Sequence, residues 1–130
     1  MIGLDTSAMI DLFKKDTALI KFLEKTDDKI ALNQITYLEI MLGLNLEGES
    51  HKSEEEYYDS LFNSYLVFPL NNLSCKKASK IFLQLKKIGK IIEEFDCAIA
   101  GIFLTNGVNK ILTRNKKHFE NIKELEIIEY

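Results

Sequence analysis

The fold class this sequence predicts is α/β, with a mainly parallel sheet covered by helices on both faces. Three observations predict it. Short apolar runs alternate with longer stretches of helical periodicity, no two-residue hairpin turn joins two apolar runs, and no repeat, low-complexity stretch or linker divides the chain. The 130 residues therefore read as one domain spanning 1–130.

Met1-Ile2-Gly3-Leu4 is an apolar run that stops at Asp5-Thr6-Ser7, three residues that favour turns and caps, so a strand leads into a helix. Asp16 caps a helix carrying Leu19, Ile20, Phe22 and Leu23, and Lys29 to Leu32 is a second strand. Thr36 is the expected cap of the next helix, whose apolar face is Leu38, Met41 and Leu42. After a polar stretch, Ser53-Glu54-Glu55-Glu56 reads as a capping box opening a helix through Tyr57, Leu61 and Leu66. Val67-Phe68-Pro69-Leu70 is a third strand, pushed to a sheet edge by its proline. A long helix follows with Ala78, Ile81, Phe82, Leu85 and Ile88 on one face and Gly89 as its stop. A helix from about Glu94 to Thr105, a strand from Lys110 to Thr113 and a last strand from Leu125 to Ile128 complete the reading.

Composition narrows the function classes. With 46% hydrophobic and 28% charged residues the chain is of globular type, and no apolar run approaches the roughly 20 residues of a membrane helix. Met1 to Leu4 leads straight to Asp5 without a signal-peptide pattern, so the expectation is a soluble cytoplasmic protein without a membrane partner. Cys75 and Cys97 form no CxxC and, with only two histidines, point to reduced, buried thiols rather than a zinc site or disulfide. No GxGxxG or phosphate loop is present, nor any recognisable nucleophile arrangement of Ser, Cys and His.

What remains is acidic. Asp5 ends the first strand, Glu39 borders the buried face of a helix, and Asp96 opens the apolar helix that holds Cys97, Ala98, Ile99 and Ala100. Each has a plain alternative as a cap, a paired buried acid or a dipole partner. In parallel α/β sheets, however, strand ends and helix starts meet at the switch in strand order, where all three would fall together. Carboxylates about 4 Å apart at an effective dielectric of about 20 repel by on the order of 4 kcal/mol per pair, so such a cluster calls for protons or a cation. Hard oxygen donors select Mg²⁺ or Mn²⁺, and a divalent ion so held activates water and offsets phosphoryl charge, the machinery of phosphodiester hydrolysis.

Four segments, in order, carry a family resemblance: Ile2-Gly3-Leu4-Asp5-Thr6-Ser7, Thr36-Tyr37-Leu38-Glu39 with Gly43, Phe95-Asp96-Cys97-Ala98-Ile99-Ala100, and Leu112-Thr113-Arg114-Asn115 with Phe119. Together they resemble the PIN domain over nearly the whole chain, and are most similar to VapC-type toxins of toxin–antitoxin pairs. The resemblance implies a three-layer α/β/α fold with a mainly parallel sheet of about four or five strands, and a Mg²⁺- or Mn²⁺-dependent endoribonuclease. It implies in-line attack of a metal-activated water on RNA without a covalent intermediate, leaving a 5′-phosphate and a 3′-hydroxyl.

Carried over by position, Asp5, Glu39 and Asp96 match the metal-binding, catalytic acids. Asn115 stands where some relatives have a fourth aspartate, and Glu94, in place of a frequent aspartate, is accessory. Thr6 and Ser7 resemble residues that orient the first acid, and Thr113 supports the site through its hydroxyl. Arg114, the only arginine, and Lys116 and Lys117 flank Asn115 and are the candidates for RNA contact, while most other lysines read as a solvated helix face. The implied partners are a structured RNA such as a tRNA, a second copy in a homodimer, and an antitoxin protein met by the apolar helices at Leu19 to Leu23 and Leu38 to Leu46. Two other readings stand beside this one: an RNA-processing or DNA-acting nuclease of the same fold without an antitoxin, and an inactive PIN-like module that binds RNA or protein. An aspartyl phosphatase is disfavoured, because Ser7 stands where its second acid belongs.

Overall fold

The computed structural model describes all 130 residues. Its elements, in chain order, are β1 (Ile2–Leu4), α1 (Thr6–Phe13), α2 (Thr17–Lys25), β2 (Ile30–Asn33), α3 (Gln34–Leu42), α4 (Lys52–Ser64), β3 (Leu66–Phe68), α5 (Asn72–Lys87), α6 (Glu94–Thr105), β4 (Lys110–Leu112), α7 (Lys116–Phe119) and β5 (Glu126–Ile128). The five strands form one sheet in the order β3-β2-β1-β4-β5, and every neighbouring pair is parallel. Helices cover both faces, as the alternation of short and long apolar patterns predicts.

Because successive strand residues point to opposite faces, each strand feeds two cores. Ala31 and Ile111 pack with Ile81 and Leu85 of α5 and with Ile99, Ile102 and Phe103 of α6. Ile2, Leu4, Leu32 and Leu112 pack on the other side with Met9, Leu19, Ile40 and Tyr58. The sequence places Gly3 in the middle of β1, and the reason is steric: a Cβ there would stand 2.6 Å from the Phe103 ring. Gly101 plays the same part between helices, where a Cβ would meet Ser74 O at 2.7 Å and Ala78 N at 2.9 Å.

Several local expectations are corrected. The cap of α3 is Asn33, whose Oδ1 accepts from Thr36 N at 2.9 Å; β2 passes into α3 without a loop, so the last strand residue must do the capping. That register buries Ile35, Thr36 and Ile40 and leaves Leu38 and Leu42 exposed. Ser53 lies inside the first turn of α4, not before it, and His51 at the cap position accepts from Asn45 N instead of capping. The helix stops at Ser64, and Leu66 begins β3 with its side chain exposed. The capping box belongs to α5, formed by Asn71 and Ser74. Gly89, at φ +67°, ends that region as expected, but Ile88 is exposed. Cys97 is buried and Cys75 exposed, so only one of the two thiols is in the interior. β3 lies at the sheet edge and ends just before Pro69.

The α5–α6 contact gives a test of the packing. Gly101→Ala gains helix propensity of about 1 kcal/mol, but its methyl meets the α5 backbone at Ser74 and Ala78, and overpacking typically costs about 1–3 kcal/mol. Chemical denaturation is expected to show a net loss of stability; a stabilised variant would mean that the two helices separate freely.

Candidate active site

The central strand sets the site. β2 and β3 lie on one side of β1 and β4 and β5 on the other, so the carboxyl ends of β1 and β4 flank the switch in strand order. Leu4 and Leu112 are register partners, and the residues that follow them, Asp5 and Thr113, meet directly. Thr113 Oγ1 donates to Asp5 Oδ2 at 2.7 Å. Asp5 is also the N-cap of α1, its Oδ1 accepting from Ala8 N at 3.0 Å and from Ser7 Oγ at 2.8 Å. Ser7 Oγ lies 3.3 Å from Thr113 Oγ1, so the two hydroxyls and the carboxylate form one buried group.

Thr6 does not orient Asp5. Its hydroxyl donates to Glu39 Oε1 at 2.6 Å and lies 3.1 Å from Thr36 Oγ1, which in turn accepts from Asn33 Nδ2 at 3.0 Å. Side chains of the first turns of α1 and α3 thus hold Glu39 toward the start of α1, beyond the carboxyl end of β1. Asp96 sits in the first turn of α6, where the helix dipole favours a carboxylate, and its Oδ2 is 2.9 Å from His118 Nδ1 on α7. Asp96, His118, Glu93, Glu94, Lys117, Ile91 and Ile92 line an open cleft of about 490 Å³.

The electrostatics show what this arrangement withstands. Burial pushes the Asp5 carboxyl above its usual range, against the hydrogen bonds from Thr113, Ala8 and Ser7 that lower it. Asp96 is pushed up to about 6, first by burial; the charges of Glu39 and Asp5 add to the rise and His118 opposes it. Asp96 therefore senses the charges of the other two acids. No three His, Cys, Asp or Glu side chains form a ready cage for an ion. No hydrogen bond engages Glu39 Oε2 or Asp96 Oδ1, so each keeps a free oxygen. Proteins commonly hold Mg²⁺ through one or two carboxylates and several waters rather than an all-protein cage, and oxygen donors of this kind would suit it or Mn²⁺.

The remaining expected residues divide. Asn115 precedes α7, and its backbone N–H donates to Thr113 Oγ1 at 2.9 Å. Arg114 donates its backbone N–H to Ser7 Oγ, but its guanidinium is bonded to buried Asp11. Lys116 pairs with Glu129 at 3.4 Å, which leaves Lys117 as the cation of this trio in the cleft beside Asp96. Sequence reasoning missed His118, Thr36 as a bonding partner, and Asp11 with its second donor, the Tyr130 hydroxyl at 2.6 Å. The spacing of Asn33 and Thr36 was a legible capping signal; the partners of Asp11 lie more than a hundred positions away and leave no local trace.

A carboxyl whose folded pKa exceeds its unfolded value stabilises the fold when protonated, and that contribution is lost as pH rises through the folded pKa. For Asp96 the window runs from about 4 to about 6. In EDTA, Asp96→Asn is expected to melt above the wild type at pH 7 and to lose the difference near pH 4. A variant less stable at pH 7 would contradict the charge strain.

Comparison with known proteins gives a consistent family. The PIN domain family matches residues 2–125. Ribonuclease VapC1 of Methanocaldococcus jannaschii is 32% identical over 130 residues, covering 95% of this chain and 82% of that protein. Among solved structures, VapBC2 of Rickettsia felis bound to a DNA fragment from its promoter has a TM-score of 0.85 at 19% identity, covering 100% of this chain and 99% of the other. VapBC-1 of nontypeable Haemophilus influenzae has a TM-score of 0.82 at 26% identity, covering 99% and 98%.

Proposed function

The chain belongs to the PIN domain family, and from that premise we propose that it is a metal-dependent endoribonuclease acting as the toxin of a VapBC-type toxin–antitoxin pair. The observation that carries the proposal is the buried Asp5 carboxylate at the β1–β4 switch, bonded by Ser7, Ala8 and Thr113 and sensed electrostatically by Asp96. A relative whose name is a ribonuclease, and similar folds solved as VapBC complexes, support the activity and the pairing.

In this reading Asp5, Glu39 and Asp96 hold Mg²⁺ or Mn²⁺. When bound, such an ion would supply activation of a water at neutral pH and offset phosphoryl charge. The rest is done by the chain. Ser7 and Thr113 hold Asp5 in one orientation and partly oppose the rise that burial imposes on its carboxyl, and Thr6 holds Glu39 in place. Lys117 at the cleft meets the phosphate backbone, with Glu94 an exposed, accessory acid beside it and Asn115 a neutral donor and acceptor at the start of α7. Lys116, whose pairing with Glu129 is exposed, extends this basic rim, and Arg114 borders it while its guanidinium stays on buried Asp11.

A net charge of −3 disfavours indiscriminate binding of nucleic acid, so the substrate proposed is one structured RNA, such as a tRNA, in the cytoplasm. Leu38, Leu42 and Leu46 are exposed along one side of α3 and beyond, and are assigned to contacts with the antitoxin or with a second copy in a homodimer. Leu19 is wholly buried and takes no such part.

The test is incubation of the purified, antitoxin-free protein with total cellular RNA in Mg²⁺, in Mn²⁺ and in EDTA, beside Asp5→Ala. Discrete fragments that require metal and are absent from the variant are expected. Cleavage that persists in EDTA or with Asp5→Ala would reject the mechanism, and intact RNA under all conditions would favour a binding module.

A further inference from the structure

The cleft beside Asp96 does not by itself attract a polyanion. Its lining sets the carboxylates of Glu93, Glu94 and Asp96 against one lysine, Lys117, and one imidazole, His118. Positive charge is concentrated elsewhere. Six of the 17 Lys and Arg residues lie within 71–92, a segment without a single Asp or Glu, so the other 11 are set against all 20 acids. α5 carries five of the six, Lys76, Lys77, Lys80, Lys86 and Lys87, and Lys90 follows its end. Of these only Lys77 makes an ion pair, with Glu124 at 2.6 Å.

The fold turns these lysines outward along one line. Ser74, Ile81 and Leu85 are the buried side of α5. Lys76, Lys80 and Lys87 are exposed, and at 3.6 residues per turn they fall within about 40° of one another on the opposite side. A solvated helix face accounts for Lys86 and Lys87, which complement the helix dipole in the last turn. It does not account for Lys76 and Lys80, which stand four residues apart and repel each other, nor for the lack of any acid among them, because a surface shaped by solubility alone intersperses both signs.

Resting on the reading of the chain as a ribonuclease, we propose that the outward face of α5, formed by Lys76, Lys80 and Lys87 and continued by Lys90, is the ridge on which the RNA substrate docks. From Lys76 to Lys87 the ridge is about 16 Å long, enough to meet several phosphates of one strand. Beyond Lys90 the chain passes directly into Ile91 and Ile92, which line the cleft, so RNA held on the ridge is led to Asp96. Leu73 and Leu83 are exposed on the same side, but lysine is depleted from protein interfaces, and a row of unpaired ammonium groups suits phosphates instead. Phosphate contacts position a nucleic acid without reading its sequence, so the ridge sets where the RNA lies and leaves the choice of bond to the cleft.

Binding of an unfractionated tRNA pool in EDTA, measured over a range of salt, tests the ridge apart from cleavage. The combined variant Lys76→Gln, Lys80→Gln and Lys87→Gln is expected to bind on the order of tenfold more weakly at about 0.1 M salt, with a salt slope shallower by about 2 to 3 and an unchanged melting temperature. Lys14→Gln, Lys21→Gln and Lys25→Gln together remove the same charge from exposed, unpaired lysines away from α5, and are expected to bind as wild type does. In Mn²⁺, the α5 variant is expected to cleave with a raised KM and an unchanged kcat. Equal weakening by the two variants, or tRNA binding indifferent to the α5 lysines, would overturn the proposal. The two levels separate: metal-dependent cleavage with a KM that ignores the α5 lysines rejects the ridge alone, whereas lysine-dependent binding without any cleavage rejects the nuclease and keeps the ridge as an RNA-binding surface.

Discussion

The Asp5 carboxylate is withdrawn from water at the carboxyl end of the central strand, and the protein must replace the lost hydration with its own donors. Each donor comes through a different part of the fold. Ala8 N–H is free because it lies in the first turn of α1, Ser7 is two residues from the acid, and Thr113 arrives only because β4 pairs with β1 in a register that opposes Leu4 to Leu112. The same closeness brings the other acids. Gly3 lets the Phe103 ring lie against β1, and Asp96 stands two turns before Phe103 on the same face of α6. A side chain at position 3 would lift α6 off the sheet and carry Asp96 away with it.

Stability and chemistry pull in opposite directions here. Burial keeps Asp5 and Asp96 reluctant to ionise, and at Asp96 the charges of Glu39 and Asp5 add to it, which is unfavourable for the fold and favourable for capture of a cation. The surrounding structure tolerates this because it is otherwise well satisfied: two cores flank the sheet, and no buried side-chain polar atom lacks a hydrogen-bond partner. Asp11 shows the contrasting solution, a buried carboxylate neutralised outright by Arg114 and bonded by Tyr130. One buried acid is closed off by the protein's own cation; Asp96 is left facing a cleft.

The order of strands and helices was legible because apolar periodicity and turn residues agreed along most of the chain. Asp16 capped α2, Gly89 ended the α5 region and Pro69 marked an edge strand for reasons that are local in sequence. The errors arose where a tertiary constraint chose between near-equal local signals. Asn33 and Thr36 are both good caps, and only the direct passage from β2 into α3 selects Asn33, which rotates Leu38 and Leu42 to the surface. At the site, Asp5, Glu39 and Asp96 were readable as acids beside strand ends and helix starts. Which hydroxyl serves which acid was not, because Ser7 and Thr6 point to opposite neighbours of one helix turn, and the partner of Asp96 is His118, 22 positions further on.

Anomalous diffraction from crystals grown with Mn²⁺ tests the central claim, that burial of Asp5 at the strand switch prepares a site for a divalent ion. The account predicts a Mn²⁺ peak bounded by the carboxylates of Asp5, Glu39 and Asp96, on the side of the cleft that holds Lys117. A Mn²⁺ bound only at other residues, with Asp5 still bonded by Ser7 and Thr113, would contradict it.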